Sequence, residues 1–88
     1  MSEKANVVMY TSAGCAYCSG AKNLLDKKGV DYTEIRVDLQ PDRREEMERR
    51  SGQDTVPQIF INDVAIGGFD ELMDLDLDDE LDPMLGLA

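Results

Sequence analysis

The chain has no histidine, only two cysteines, three prolines, and no basic residue anywhere between Asp70 and Asp82. Each shortage removes a class of chemistry. A self-contained structural zinc site needs four Cys or His ligands, so two cysteines without histidine leave only a site shared between chains or completed by an external thiol. A protease-type cysteine nucleophile needs a histidine or an equivalent base, and the usual candidate is missing. Two cysteines are too few for a disulfide framework. No run approaches the roughly 18 apolar residues of a membrane span, and the start M-S-E-K-A-N lacks the apolar run of a secretory signal, so the expected compartment is the cytoplasm. The formal net charge of -10 argues against nucleic acid and anionic membranes as partners.

The charge is unevenly placed. Residues 1–69 hold 11 acids against 9 bases, whereas 70–82 hold 8 acids and no base. A solvated, solubilising helix face explains such a run most simply. With 88 residues the chain suits one domain over 1–88, since a chain of this size removes roughly 60 to 65% of its unfolded surface from water.

The pattern along the chain reads β-α-β-α-β-β-α. Asn6 to Tyr10 is a short β-branched apolar run bounded by turn residues, hence a buried strand. Cys18, Ala21 and Leu25 then recur at i, i+3 and i+7, and Lys27-Lys28-Gly29 closes a helix over roughly 16–28 with cations and a terminal glycine. Val30 to Val37 alternates as a half-buried strand. Pro41 opens a second helix with little apolar face, whose arginines and glutamates interleave as on a solvated surface. After Ser51-Gly52, two strands flank Asn62-Asp63, a pair suited to a hairpin turn with positive φ. A third helix is expected from about Asp70, and Asp82-Pro83 offers an N-cap and first-turn proline for a short terminal helix. The βαβ unit demands parallel strands and the hairpin antiparallel ones, so the sheet is mixed.

Cys15 and Cys18 therefore stand at the start of a helix that follows a strand. Unpaired N–H groups and the positive helix end favour a thiolate at Cys15. Cys18, one turn on and sharing the stripe of Ala21 and Leu25, is expected to be more buried. Side chains at i and i+3 lie about 5 to 6 Å apart at Cβ, within reach of disulfide geometry after a small adjustment. This predicts an unequal dithiol in which Cys15 attacks and Cys18 resolves.

G-C-A-Y-C at 14–18, T-V-P at 55–57 and G-G-F-D at 67–70 together resemble the small bacterial dithiol glutaredoxins over essentially the whole chain. The resemblance implies an α/β, thioredoxin-like fold with a four-stranded mixed sheet flanked by helices, and a cis Val56-Pro57 peptide facing the cysteines. It implies glutathione as co-substrate, with Tyr17 flanking the bound sulfur, Gln53 near the glycyl carboxylate, and Thr55 beside the Val56 and Pro57 backbone. Gly68, Phe69 and Asp70 would receive the γ-glutamyl end. The implied activity is a glutathione-dependent thiol–disulfide oxidoreductase that reduces protein–glutathione mixed disulfides and protein disulfides. Its partners would be glutathione and glutathionylated or disulfide-containing proteins, and it would act as a monomer.

Two positions depart from the family pattern. Ala16 stands where proline is common, and Ser12 where lysine is common; glutathione binding is expected either to be weaker for want of that cation or to be borne by an arginine such as Arg49 or Arg50. A small residue at 16 also resembles family members that hold a [2Fe–2S] cluster between two chains, each giving its first cysteine and a bound glutathione. That alternative reading would make Cys15 a cluster ligand in a dimer.

Overall fold

In a computed structural model describing residues 5–87, eight elements follow one another: β1 (Val7–Thr11), α1 (Ala16–Lys27), β2 (Thr33–Arg36), α2 (Pro41–Ser51), β3 (Gln58–Ile61), β4 (Val64–Gly67), α3 (Phe69–Leu77) and α4 (Leu81–Met84). The sheet order is β2-β1-β3-β4. β1 and β2 are parallel, with Tyr10 beside Ile35, while β1–β3 and β3–β4 are antiparallel. This is the expected mixed sheet, flanked by helices. None of the helices in 5–87 is long and apolar enough to cross a membrane.

β1 and β3 are the two central strands, and both faces of each are covered. That is why they read as continuous apolar runs instead of alternating ones. On one face Val7, Met9, Ile59 and Ile61 meet Ala21 and Leu25 of α1, Leu72 of α3, and Leu81 and Leu85. On the other, Tyr10 and Phe60 meet Ile35, Val37 and Met47 of α2. The chain reverses between β3 and β4 through Asn62 (φ 51°) and Asp63 (φ 66°), the left-handed pair that a two-residue hairpin turn needs.

α2 has more purchase on the sheet than its sequence suggests. Met47 is wholly buried, and polar side chains complete the contact. The Tyr10 hydroxyl donates to Glu46 at 2.5 Å and accepts from Arg50 at 3.0 Å, while the Arg50 guanidinium lies 4.3 Å from the Phe60 ring centroid. Burial, followed by the Glu46 bond, raises the Tyr10 pKa. Arg50 also reaches Asp63 at 3.4 Å. Arg50 is thus tied to Tyr10, Phe60 and Asp63 on the α2 side of the sheet.

The terminal helix starts earlier than Asp82-Pro83 predicts: Glu80 occupies the cap position and Asp82 lies inside the helix. Two tertiary contacts decide this. Leu81 is fully buried in the core, and the Asp82 carboxylate is drawn to Lys28 at 2.6 Å, which also binds Asp76 at 2.7 Å. Two members of the acidic run therefore tie the end of α1 to the C-terminal helices, beyond the solvating role expected of the run.

Candidate active site

The loop from β1 to α1 delivers the two cysteines. Gly14 takes φ 70°, and Cys15 is the N-cap of α1 in extended conformation. Its sulfur accepts the Cys18 backbone N–H at 3.1 Å. This is the geometry in which a cap satisfies one of the orphan donors of a helix, here with sulfur in place of oxygen. Before the cysteine, the Ala13 N–H donates to Asp38 at 3.4 Å; Asp38 is gripped by Arg36 at 2.6 and 2.8 Å. The Arg36 bond is the first cause holding the Asp38 carboxyl down to about 2.

The pair is unequal in the expected sense. Cys15 is partly exposed and Cys18 is 2% exposed, both as free thiols. Burial first, then the contact with Cys15, pushes the Cys18 thiol up to about 12. The stripe of Cys18, Ala21 and Leu25 is buried as predicted.

Facing Cys15 is the Val56 carbonyl, 3.7 Å from the sulfur, and Val56-Pro57 is cis. Beyond it runs a groove of about 270 Å³. All eight residues expected at a glutathione site, Tyr17, Gln53, Thr55, Val56, Pro57, Gly68, Phe69 and Asp70, line this one groove. They come from α1, the loop after α2, and the β4–α3 junction, so only the fold assembles them. Phe69 closes against α1 where Gly20 makes room: a Cβ at 20 would stand 3.1 Å from the ring. The Tyr17 ring lies 6.3 Å from that of Phe69, at 36°.

Glu71 also lines the groove, and the sequence reading missed it. Its carboxylate accepts the Gly68 N–H at 2.7 Å. The signal was present, since Glu71 is the third residue after Gly68, the spacing of the carboxylate half of a capping box. The first N–H groups of α3 have no intrahelical partner and attract negative charge. Gly67 permits the arrangement: it takes φ 118°, and a Cβ there would sit 2.7 Å from the Glu71 carboxylate oxygen. Gly67→Ala is therefore expected to lose roughly 1–3 kcal/mol of stability from backbone strain alone, measurable by thermal denaturation.

Cys15 and Cys18 border a second cleft, of about 280 Å³, with Ser12, Lys22, Glu34 and Arg36. Its cations are paired, Lys22 with Glu34 and Arg36 with Asp38, each at 2.6 Å. Among the described residues no group of three or more His, Cys, Asp or Glu is placed to hold a metal ion. Within one chain Cys15 and Cys18 alone are too few ligands for a cluster, so the shared arrangement would need a second copy and glutathione to complete it.

Comparison with known proteins agrees with this geometry. The family model for Glutaredoxin matches residues 7–66. Glutaredoxin 3 of Escherichia coli strain K12 is 52% identical over 81 residues, covering 92% of this chain and 98% of the relative. The solution structure of glutaredoxin from Brucella melitensis superposes with a TM-score of 0.83 at 44% identity, over 96% of this chain and 91% of that one. A crystal structure of a buckwheat glutaredoxin–glutathione complex superposes with a TM-score of 0.86 at 34% identity, over 96% and 83%.

Proposed function

The chain belongs to the glutaredoxin family, and on that footing we propose that it is a glutathione-dependent thiol–disulfide oxidoreductase with Cys15 as nucleophile. In the monothiol half of the reaction, the Cys15 thiolate attacks the glutathionyl sulfur of a protein–glutathione mixed disulfide. The S–S bond breaks and the protein leaves as a thiolate, which takes up a proton. A second glutathione, as thiolate, then attacks the glutathionyl sulfur on Cys15, releasing glutathione disulfide and restoring the Cys15 thiolate. With a protein disulfide, Cys15 attacks one sulfur and the other leaves as a thiolate; Cys18 then attacks the Cys15 sulfur of the mixed disulfide, releasing the second protein thiolate and leaving a Cys15–Cys18 disulfide, which two glutathiones reduce with formation of glutathione disulfide. Cys18 must first give up its proton, and its burial makes this the harder ionisation.

The observation that supports this reading best is the asymmetry of the pair: an accessible Cys15 capping α1, a buried Cys18 behind it, and the Val56 carbonyl 3.7 Å away at the mouth of a groove of mixed polar and apolar lining. An extended cysteinyl peptide in that groove would lie alongside the Val56 backbone as an added strand. Its carboxylates would meet Gln53 and Thr55 at one end and the open amides of α3 at the other, with Asp70 suited to its ammonium.

Two substrates test the assignment: a glutathionylated peptide and a disulfide-bonded protein, each assayed with glutathione as reductant. Cys18→Ser is expected to keep turnover of the peptide within about threefold and to lose at least roughly tenfold on the protein disulfide, because only the latter needs an internal resolving thiol. Equal losses on both substrates would sink the division of labour. Turnover of the peptide that does not depend on glutathione would sink the co-substrate.

A further inference from the structure

The β3 run Gln58-Ile59-Phe60-Ile61 is buried throughout, and Gln58, only 1% exposed, is its one polar member. A buried carboxamide without partners costs a few kcal/mol, so the bonds it makes are those it is kept for. Gln58 Nε2 lies 3.0 Å from the Thr55 carbonyl oxygen, 3.2 Å from Thr55 Oγ1 and 3.3 Å from Gln53 Oε1. The Thr55 carbonyl can only accept. The –NH₂ of Gln58, and not its oxygen, must therefore face the 53–55 loop.

That orientation passes to the groove. Gln53 presents its oxygen to Gln58, so its own –NH₂ remains as the outward end, and it makes no hydrogen bond among the described residues. The two Gln58 N–H groups serve three acceptors, so one is shared; the Thr55 hydroxyl oxygen, 3.2 Å from Nε2, is among them, which leaves its own proton to donate. Both residues line the groove. The loop is pinned elsewhere too: Ser51 Oγ takes the Gln53 N–H at 3.1 Å, and Arg44 donates to the Asp54 carbonyl at 2.7 Å. The far end of the groove carries the carboxylates of Asp70 and Glu71.

We propose that Gln58 is a positioning residue that turns Gln53 and Thr55 into hydrogen-bond donors, making this edge of the groove selective for a ligand carboxylate. The inference rests on the glutathione reading above and identifies what distinguishes the glycyl end from the γ-glutamyl end. The groove has an apolar stretch at Tyr17, Val56, Pro57 and Phe69, with donors near 53–55 and acids near 70–71. A γ-glutamyl end, whose ammonium suits the acids, is thereby told apart from a glycyl end that carries a carboxylate alone.

The test compares two peptide disulfides, one carrying glutathione and one carrying glutathione with its glycyl carboxylate converted to the primary amide. Wild-type protein is expected to favour the acid by about tenfold in kcat/KM, the worth of a charge-assisted hydrogen bond. Gln58→Met, of similar shape but without the donor, should bring that ratio close to one through KM with kcat unchanged. Gln58→Glu, an acceptor only, should do no better. A wild-type ratio in folded Gln58→Met overturns the proposal, whereas absence of glutathione-dependent turnover in the wild type overturns the underlying assignment instead. A measurement on the unaltered protein guards against misfolded variants. Gln58 side-chain amide protons should be protected from exchange and those of Gln53 should not; rapid exchange at Gln58 would equally defeat the proposal.

Discussion

Cys15→Ser is expected to lower glutathione-coupled reduction of a glutathionylated peptide by roughly a thousandfold or more, to the background of uncatalysed exchange, while leaving the fold intact. The two halves of this expectation have separate causes. A hydroxyl is not ionised near neutral pH and does not exchange with a disulfide, so the step that accepts the glutathionyl group disappears. Serine is nevertheless among the preferred N-cap residues, and the cap of α1 is what Cys15 provides structurally, through the Cys18 N–H at 3.1 Å. Thermal denaturation should therefore show a midpoint equal to or above that of the wild type. Retained activity would overturn Cys15 as nucleophile. An unfolded variant would show that sulfur contributes more than a cap at that position.

Leu25→Ala carries the largest expected effect on stability. Leu25 is fully buried in the cluster that joins β1, α1, β3, α3 and α4, where nothing can collapse without moving the sheet. Substitutions of this kind cost about 2–5 kcal/mol, a large part of the roughly 5–15 kcal/mol that holds a domain together. At about 4–8 °C per kcal/mol for a chain of this size, the midpoint should fall by at least roughly 8 °C. Leu77, 73% exposed, is the control: its replacement by alanine should stay within about 0.5 kcal/mol. Equal midpoints for the two variants would mean that the α1 stripe does not anchor the helix carrying the cysteines.

Elements whose stability is largely local were legible before the fold was known. α1 announced itself by the spacing of Cys18, Ala21 and Leu25 and by its closing Lys27-Lys28-Gly29, and the hairpin by Asn62-Asp63; both are found where expected. Where two residues far apart in sequence compete with a local signal, the local signal lost. Asp82-Pro83 looked like a helix start, yet the burial of Leu81 and the pull of Lys28 moved the start forward. α2 looked weakly anchored because its partners, Tyr10 and Phe60, lie on strands remote from it in the chain. In the groove, the family motifs pointed to eight residues, while Glu71 and Gln58 passed for a helix-surface acid and a strand residue.

From residue types and spacing alone it followed that the chain is an α/β unit with an unequal Cys15–Cys18 pair at a helix start, because helix periodicity, strand runs and capping depend on neighbours a few positions away. The direction of each polar group in the groove did not follow. Whether Gln53 offers oxygen or nitrogen depends on Gln58, and whether Glu71 is free or occupied depends on the Gly68 amide. A carboxamide or carboxylate can turn either way at little local cost, so its orientation is set by whichever partner the tertiary fold brings within about 3 Å.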